Sequence, residues 1–225
     1  MRNTTVAING SDVPAVISIP ASGSGPGVIV IQEWWGLVPH VVDVTRRLAE
    51  AGFVALAVDH YRGAETTEPD EAQKLMLGLD IAQVADDLAA AAADLVARPQ
   101  VVGDTIGCVG FCMGGGLALL APTVSDAITR TVAFYPAMPW PQYAPEWSRY
   151  AGKSATVNKA ESDEGGTGAS IAAYADAIQA AGGEVQIFDY PGSVHAFFND
   201  ARPEVFQAEN SALAWARTLA ALRGA

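Results

Sequence analysis

The sequence has few of the residues that build metal centres or disulfide frameworks. Its 225 residues include two cysteines and three histidines, and no two histidines are closely spaced. Metal sites usually draw their ligands from short sequence spacings of roughly two to five residues, so we expect neither a metal nor another cofactor. Cys108 and Cys112 lie four residues apart on one predicted strand and turn. That is poor geometry for a disulfide.

Long apolar segments and excess positive charge are also missing. The N-terminus lacks the apolar core of a signal peptide, and no apolar run is long enough to span a bilayer. The chain has 25 acidic and 13 basic residues, giving a formal net charge of −12. This charge disfavours nucleic acids and anionic membrane surfaces as partners. With few cysteines and no export segment, we expect a cytoplasmic protein. We also expect a monomer or a small homo-oligomer that acts on a small molecule.

Apolar segments alternate with amphipathic ones in the pattern of an α/β protein. Apolar residues make up 50% of the chain, which is enough core for the single domain that we expect over residues 1–225. After a predicted hairpin, strands are expected at Val28–Ile31, Val54–Val58, Asp104–Val109, Thr129–Tyr135, Ser154–Asn158 and Val185–Tyr190. Helices are expected at Pro39–Ala51, Glu68–Ala97 with a break near Gly78, Met113–Ala121, Gly168–Ala181 and Pro203–Arg223. This alternation predicts a mostly parallel, doubly wound sheet flanked by helices.

One segment matches a pattern that presents a nucleophile. Gly110-Phe-Cys-Met-Gly114 has the form Gly-x-nucleophile-x-Gly, with cysteine where serine usually stands. A nucleophile on so sharp a strand-to-helix turn has a strained backbone, and its flanking positions need glycine because a Cβ would clash. The following helix N-terminus favours negative charge that develops at the thiol. Cys112 is therefore the candidate nucleophile, whereas Cys108, inside the apolar strand, is interpreted as a core residue.

Three further polar residues follow predicted strands. Glu33 comes after Val28–Ile31, Asp163 after Ser154–Asn158, and His195 after Val185–Tyr190. Ligand sites in such sheets lie beyond the carboxyl ends of the strands, so we expect these side chains at one rim. The order nucleophile, acid, base is that of the α/β-hydrolase fold. His195 is the candidate base.

The orienting carboxylate has close competitors. Glu161 and Glu164 occupy the same loop as Asp163, and the distance from the strand favours Asp163. Asp189 comes earlier, on the strand that precedes the histidine loop. His40 and His60 are interpreted as surface or structural residues.

The chain resembles the dienelactone hydrolase family of α/β-hydrolases. The resemblance rests on Gln32-Glu-Trp-Trp-Gly36, Gly110-Phe-Cys-Met-Gly-Gly-Gly116, Glu161-Ser-Asp163 and His195-Ala-Phe-Phe-Asn199, which together span most of the chain. It implies that Cys112 is the nucleophile, His195 its base and Asp163 the orienting carboxylate. It also implies that Glu33 interacts with the resting thiol and assists its activation when substrate binds.

Physical roles for the surrounding residues follow from this chemistry. A tetrahedral oxyanion needs fixed donors, which we expect at the backbone N–H groups of Trp34 and Met113. A glutamate beside the thiol disfavours a standing thiolate, because like charges resist joint ionisation. Residues expected to line the substrate pocket are Trp35, Arg62, Tyr135 and Phe197.

One departure from the family bears on the substrate. Members that act on dienelactone carry arginines that bind the substrate carboxylate, one in the helical region before the elbow and one four residues after the histidine. This chain has no arginine between Arg62 and Arg98, and Asn199 stands four residues after His195. Replacement cations would be Arg62, Lys74 or Arg202.

The sequence therefore predicts a hydrolase of carboxylic esters or lactones that works through an acyl-enzyme. One alternative is a short-chain esterase or thioesterase with an unrelated substrate. Another is a non-catalytic small-molecule-binding or redox-sensing protein that keeps the fold and uses Cys112 as a sensor.

Overall fold

The structure is a computed structural model, which describes residues 2–140, 144–163 and 167–224, without the side chains of residues 167–169. The described strands are β1 (Thr4–Ile8), β2 (Ser11–Ser18), β3 (Gly27–Ile31), β4 (Val54–Val58), β5 (Ile106–Phe111), β6 (Ile128–Phe134), β7 (Ser154–Ser162) and β8 (Glu184–Val194). The described α-helices are α1 (Pro39–Glu50), α2 (Pro69–Leu77), α3 (Ile81–Ala97), α4 (Met113–Val124), α5 (Thr167–Ala180) and α6 (Ala208–Arg223). A short 3-10 turn spans Trp147–Tyr150. No helix within these residues is long and apolar enough to cross a membrane.

The eight strands form one sheet in the order β1-β2-β4-β3-β5-β6-β7-β8. β1 and β2 form an antiparallel hairpin, β2 pairs antiparallel with β4, and all the other pairs are parallel. The predicted mostly parallel, doubly wound sheet is therefore confirmed. Strand order reverses between β3 and β5, so the loops after these strands diverge and leave a crevice at the sheet's carboxyl edge.

The boundaries of several elements differ from the predicted ones. The long helical segment is broken near Gly78, as predicted, and Asp80 caps α3 by accepting from the N–H groups of Ala82 and Gln83. The last helix begins at Ala208, not at Pro203. β7 and β8 each run four residues further than predicted, because their pairing continues to Ser162 opposite Val194. Both strands thus end directly before Asp163 and His195.

Stacked aromatic rings anchor the histidine loop to the core. Phe111 at the end of β5 stacks on Phe134 of β6, with ring centroids 4.7 Å apart, and on Phe198, at 5.4 Å. All three rings are buried, and burial of one such side chain is worth about 1.5–3 kcal/mol. Because Phe198 lies three residues after His195, this packing holds the histidine loop over β5.

Candidate active site

Cys112 sits on a strained turn between β5 and α4. Its backbone has φ 55° and ψ −117°, a conformation that costs a non-glycine residue about 1–3 kcal/mol. A Cβ on Gly110 would overlap the Gly114 carbonyl, and a Cβ on Gly114 would overlap the carbonyl of Gln32. The two glycines are therefore required for the steric reason that the motif suggests.

Backbone hydrogen bonds hold this turn in place. The Cys112 carbonyl accepts from the N–H groups of Gly115, Gly116 and Ala137, at 2.9, 3.2 and 3.0 Å. The Cys112 N–H donates to the Phe134 carbonyl at 3.0 Å. Cys112 is 9% exposed, and it borders the cavity described below. The neighbouring strand thus maintains the strained conformation of the nucleophile candidate.

His195 and Asp163 form a hydrogen-bonded pair at the carboxyl ends of β8 and β7. The His195 Nδ1 lies 3.0 Å from the Asp163 Oδ1. The two residues directly follow the paired positions Ser162 and Val194, so strand pairing brings them together. A carboxylate that accepts from Nδ1–H leaves the other ring nitrogen, Nε2, available to take a proton from a thiol.

The surroundings of His195 favour its charged form. Burial lowers the pKa of the imidazole, but hydrogen bonds to Asp163 and to the Cys112 thiol, and the negative charges of both groups, raise it to about 10. Part of this rise comes from negative charge on Cys112, so the imidazolium is favoured once the thiol has given up its proton. His195 and Cys112 also border the same cavity.

Glu33 is buried, with 1% of its surface exposed, and two neutral side chains hold its carboxylate. Tyr135 donates its hydroxyl to Oε1 at 3.4 Å, and Asn199 donates its amide to Oε2 at 2.9 Å. The resemblance implies a contact with the resting thiol, but among the described residues the carboxylate of Glu33 makes no hydrogen bond to Cys112. Glu33 and Cys112 nevertheless border the same cavity.

A cavity of about 380 Å³ opens over the thiol. Its lining residues are Glu33, Trp34, Trp35, Met76, Cys112, Ala137, Pro139, His195, Ala196 and Arg202. The lining is mostly apolar, and Arg202 brings a positive charge to it. The Arg202 guanidinium lies 5.9 Å from the Trp35 ring centroid, and its Nε donates to Glu204 at 2.9 Å.

Three residues expected in the pocket are not among those that line this cavity. Arg62 points to α3, where its Nη2 donates to Asp87 at 2.7 Å. Phe197 is fully buried and packs against the rings of Tyr135 and Tyr190. Tyr135 contacts Glu33, and its ring lies tilted against the His195 ring, with the centroids 4.9 Å apart.

Of the three candidate cations, Arg202 is the one that reaches the cavity. Lys74 pairs with Glu71 on the exposed side of α2, and Arg62 pairs with Asp87. No sequence motif includes Arg202, and none includes Met76, Ala137 or Pro139, which reach the cavity from distant parts of the chain.

The competing acids have other partners. Glu161 accepts from the Gly192 N–H at 2.8 Å, and Asp189 pairs with Lys159 at 2.6 Å. Glu164 lies outside the described residues. Asp163 is therefore the carboxylate that the structure brings to His195.

The two backbone N–H groups predicted to bind an oxyanion lie at the start of α4 and just after β3. Met113 is the first residue of α4, so its N–H has no acceptor within the helix. Trp34 follows β3, and within the described residues its N–H donates no hydrogen bond to another residue. No group of three metal-ligating side chains converges within the described ranges.

The reversed strand order, the strained turn after β5 and the acid and histidine after β7 and β8 define an α/β-hydrolase fold. A model of the dienelactone hydrolase family matches residues 13–225, and the chain belongs to this family. It is therefore a hydrolase.

Relatives support this assignment over nearly the whole chain. Protein usf of Aquifex pyrophilus is 32% identical over 223 residues, which cover 94% of this chain and 93% of that protein. A protein of Synechocystis named "Putative carboxymethylenebutenolidase" is 34% identical over 215 residues, or 87% of this chain and 84% of the relative. The crystal structure of a "Putative Dienelactone Hydrolase" from Klebsiella pneumoniae superposes with a TM-score of 0.86 at 26% identity, covering 99% of this chain and 97% of that one.

Proposed function

We propose that this hydrolase cleaves carboxylic esters or lactones with Cys112 as nucleophile, His195 as base and Asp163 as orienting carboxylate. The observation that carries the proposal is that Cys112 and His195 border one cavity, with His195 held by a hydrogen bond to Asp163. A nucleophile, a base within reach of it and a group that orients the base are the parts that covalent catalysis needs.

The reaction has two halves. The Cys112 sulfur attacks the carbonyl carbon while its proton passes to Nε2 of His195, and the N–H groups of Trp34 and Met113 bind the resulting oxyanion. The imidazolium then protonates the departing alkoxide, which leaves a thioester on Cys112. Water attacks this thioester, gives a proton to His195, and releases the carboxylic acid and the thiol. The cycle uses water and groups of this chain, and it calls for no cofactor.

Glu33 contributes electrostatically in this proposal. Asn199 and Tyr135 hold its carboxylate in the wall of the cavity. A fixed negative charge there favours the imidazolium that forms when the thiol gives up its proton. Glu33 thus assists activation of the nucleophile without bonding to the sulfur.

The cavity supports small substrates with apolar or aromatic groups. Trp34, Trp35 and Met76 give it apolar walls, and its volume of about 380 Å³ is at the small end of ligand pockets. The names of the relatives make enol lactones the first substrates to test. Asn199 stands where family members that act on dienelactone carry an arginine. The proposal therefore covers ester and lactone hydrolysis in general and not specificity for dienelactone.

A substrate panel with two variants tests the proposal. Wild type, Cys112→Ala and Cys112→Ser are compared on aryl acetates, enol lactones and thioesters, with mass spectrometry of quenched reactions. We expect turnover by wild type, an acyl adduct on Cys112, and almost no activity in the alanine variant. Full activity of Cys112→Ala would refute the nucleophile assignment. Turnover of thioesters alone would favour a thioesterase, and inactivity of the wild type on the whole panel would favour the sensor alternative.

A further inference from the structure

A tyrosine that no sequence motif selects contacts the residue after the nucleophile. The Tyr61 hydroxyl donates to the Met113 Sδ at a distance of 3.3 Å. Tyr61 belongs to the loop after β4, and Met113 begins α4. Met113 supplies one of the two backbone N–H groups proposed to bind the oxyanion, so Tyr61 touches the side chain of a residue whose backbone matters for the reaction.

The loop that carries Tyr61 is fixed on both sides. The Tyr61 N–H donates to Asp59 Oδ1 at 3.1 Å. The residues on either side, His60 and Arg62, both contact Asp87 of α3, at 3.5 and 2.7 Å. Asp87 is buried with 1% exposure, and these contacts lower its pKa against the effect of burial, which raises it, to about 2. The loop is therefore anchored to α3 through Asp87 on both sides of Tyr61.

The Tyr61 hydroxyl also lies within electrostatic reach of the nucleophile. Burial raises the pKa of this hydroxyl, and negative charge on Cys112 raises it further. The group therefore remains a protonated donor throughout the pH range in which the enzyme would work. Its oxygen does not compete with the catalytic groups for protons.

We propose that Tyr61 is a positioning residue for the oxyanion site. Its O–H···S hydrogen bond fixes the Met113 side chain, and through it the first turn of α4, with the Met113 N–H directed at the developing oxyanion. This inference rests on the proposed function of the site. A thioether is a weak acceptor, so the contact contributes more to orientation than to stability.

Removal of the hydroxyl or of the sulfur tests this role. For Tyr61→Phe and for Met113→Leu we expect kcat to fall about three- to tenfold, less than the roughly 10²-fold or larger loss when an oxyanion donor itself is removed. KM changes little, because the contact matters mainly in the transition state. The double variant should be no slower than either single variant, since both changes remove one contact.

Tyr150→Phe is the matched control. The Tyr150 hydroxyl is also buried and also donates to α4, at the Leu119 carbonyl 2.7 Å away. Because Leu119 lies about two turns from Cys112, this variant should lose stability and keep its kcat. Additive effects of Tyr61→Phe and Met113→Leu, an unchanged kcat of Tyr61→Phe, or an equal loss in Tyr150→Phe would each overturn the proposal.

An aryl trifluoromethyl ketone separates this inference from the choice of substrate. The Cys112 sulfur adds to the ketone carbon, its proton passes to His195, and the carbonyl oxygen becomes an oxyanion. We expect Tyr61→Phe to weaken inhibition about three- to tenfold, and Tyr150→Phe to leave it unchanged. If Tyr61→Phe weakens inhibition but the wild type hydrolyses no ester, the proposed substrates are refuted and the role of Tyr61 is retained. Equal inhibition of wild type and Tyr61→Phe would reject that role even if esters are hydrolysed.

Discussion

The two ends of the parallel strands carry concavities of opposite character. At the carboxyl ends, the cavity over Cys112 measures about 380 Å³ and is mostly apolar. At the amino ends of β6, β7 and β8, a larger concavity of about 730 Å³ is lined by the cations Arg130, Lys153 and Arg217. The larger one has neither a cysteine nor a histidine in its lining.

The candidate site is thus distinguished by the chemical groups that meet in it and not by the volume of its cavity. At the amino end, polar atoms bind other parts of the fold. Lys153 Nζ donates to the carbonyls of Pro122 and Ser125, at 2.6 and 3.1 Å. The carboxyl end instead directs a thiol, an imidazole and a carboxylate toward one opening. We therefore expect changes at the two ends to separate activity from stability.

The largest effect is expected for Asp163→Asn. An amide in place of the carboxylate fails to hold the reactive tautomer of His195, which costs about 10⁴-fold in kcat in a comparable triad. We expect a loss of about 10³–10⁴-fold in ester turnover with an unchanged melting profile by circular dichroism. Asp189→Asn, whose exposed carboxylate pairs with Lys159, is the control and should keep its full rate. An unaffected Asp163→Asn enzyme would move the role to Glu161 or Glu164.

Lys153→Met should lower stability and leave activity unchanged. Its loss leaves two carbonyls at the end of α4 without their donor, which costs about 1–3 kcal/mol of unfolding free energy. Urea denaturation measures this cost, and kcat should not change. Lys159→Met removes a more exposed ion pair and should cost less than about 1 kcal/mol. A large loss of kcat in Lys153→Met at a temperature where it is folded would break the separation between the two ends.

A smaller effect is expected for Arg202→Gln. Its guanidinium borders the cavity beside Trp35, so it should attract substrates that carry a carboxylate. We expect kcat/KM to fall about tenfold, or about 1.4 kcal/mol, for an anionic aryl ester and to stay nearly constant for its neutral methyl ester. Arg46→Gln, on the exposed side of α1, is the control. Equal losses on both esters would show that Arg202 does not read substrate charge.

The smallest effect concerns pH and stability. The fold raises the pKa of His195 from 6.5 to about 10 through Asp163 and Cys112, against burial, which lowers it. The charged histidine therefore stabilises the fold fully below about pH 6.5, and this contribution disappears as pH rises through about 10. Relative to His195→Gln, we expect an advantage of about 1 kcal/mol at pH 6, reduced by solvent screening of a partly exposed pair. Urea titrations from pH 6 to 10 measure it, and an advantage that grows with pH would contradict the linkage.

The overall architecture was predictable because its signals are local. Continuous apolar runs identified the buried strands, and Gly110 and Gly114 identified the turn between β5 and α4. The end of β8 was not predictable in the same way. Pro191 and Gly192 resemble a turn, yet pairing with β7 carries the strand to Val194. Long-range pairing overrides the local signal there.

The candidate site was predictable as far as strand ends determine it. Neighbouring parallel strands bring Glu33, Cys112, Asp163 and His195 to one rim without any knowledge of side-chain packing. Their catalytic roles remain predictions. Side-chain direction was not predictable: Arg62 turns to Asp87, whereas Tyr61, one residue earlier, reaches Met113. These contacts join residues 25 and 52 positions apart, a separation at which sequence periodicity carries no information.

The pairing of β7 with β8 has a consequence for how this enzyme can change. Asp163 and His195 each follow the last paired residues, Ser162 and Val194. The spacing of the candidate acid and base is thus set by strand pairing and not by the length of the connecting segment that contains α5. A change in the length of that segment would therefore leave the distance between the two side chains unchanged for as long as β7 and β8 stay paired.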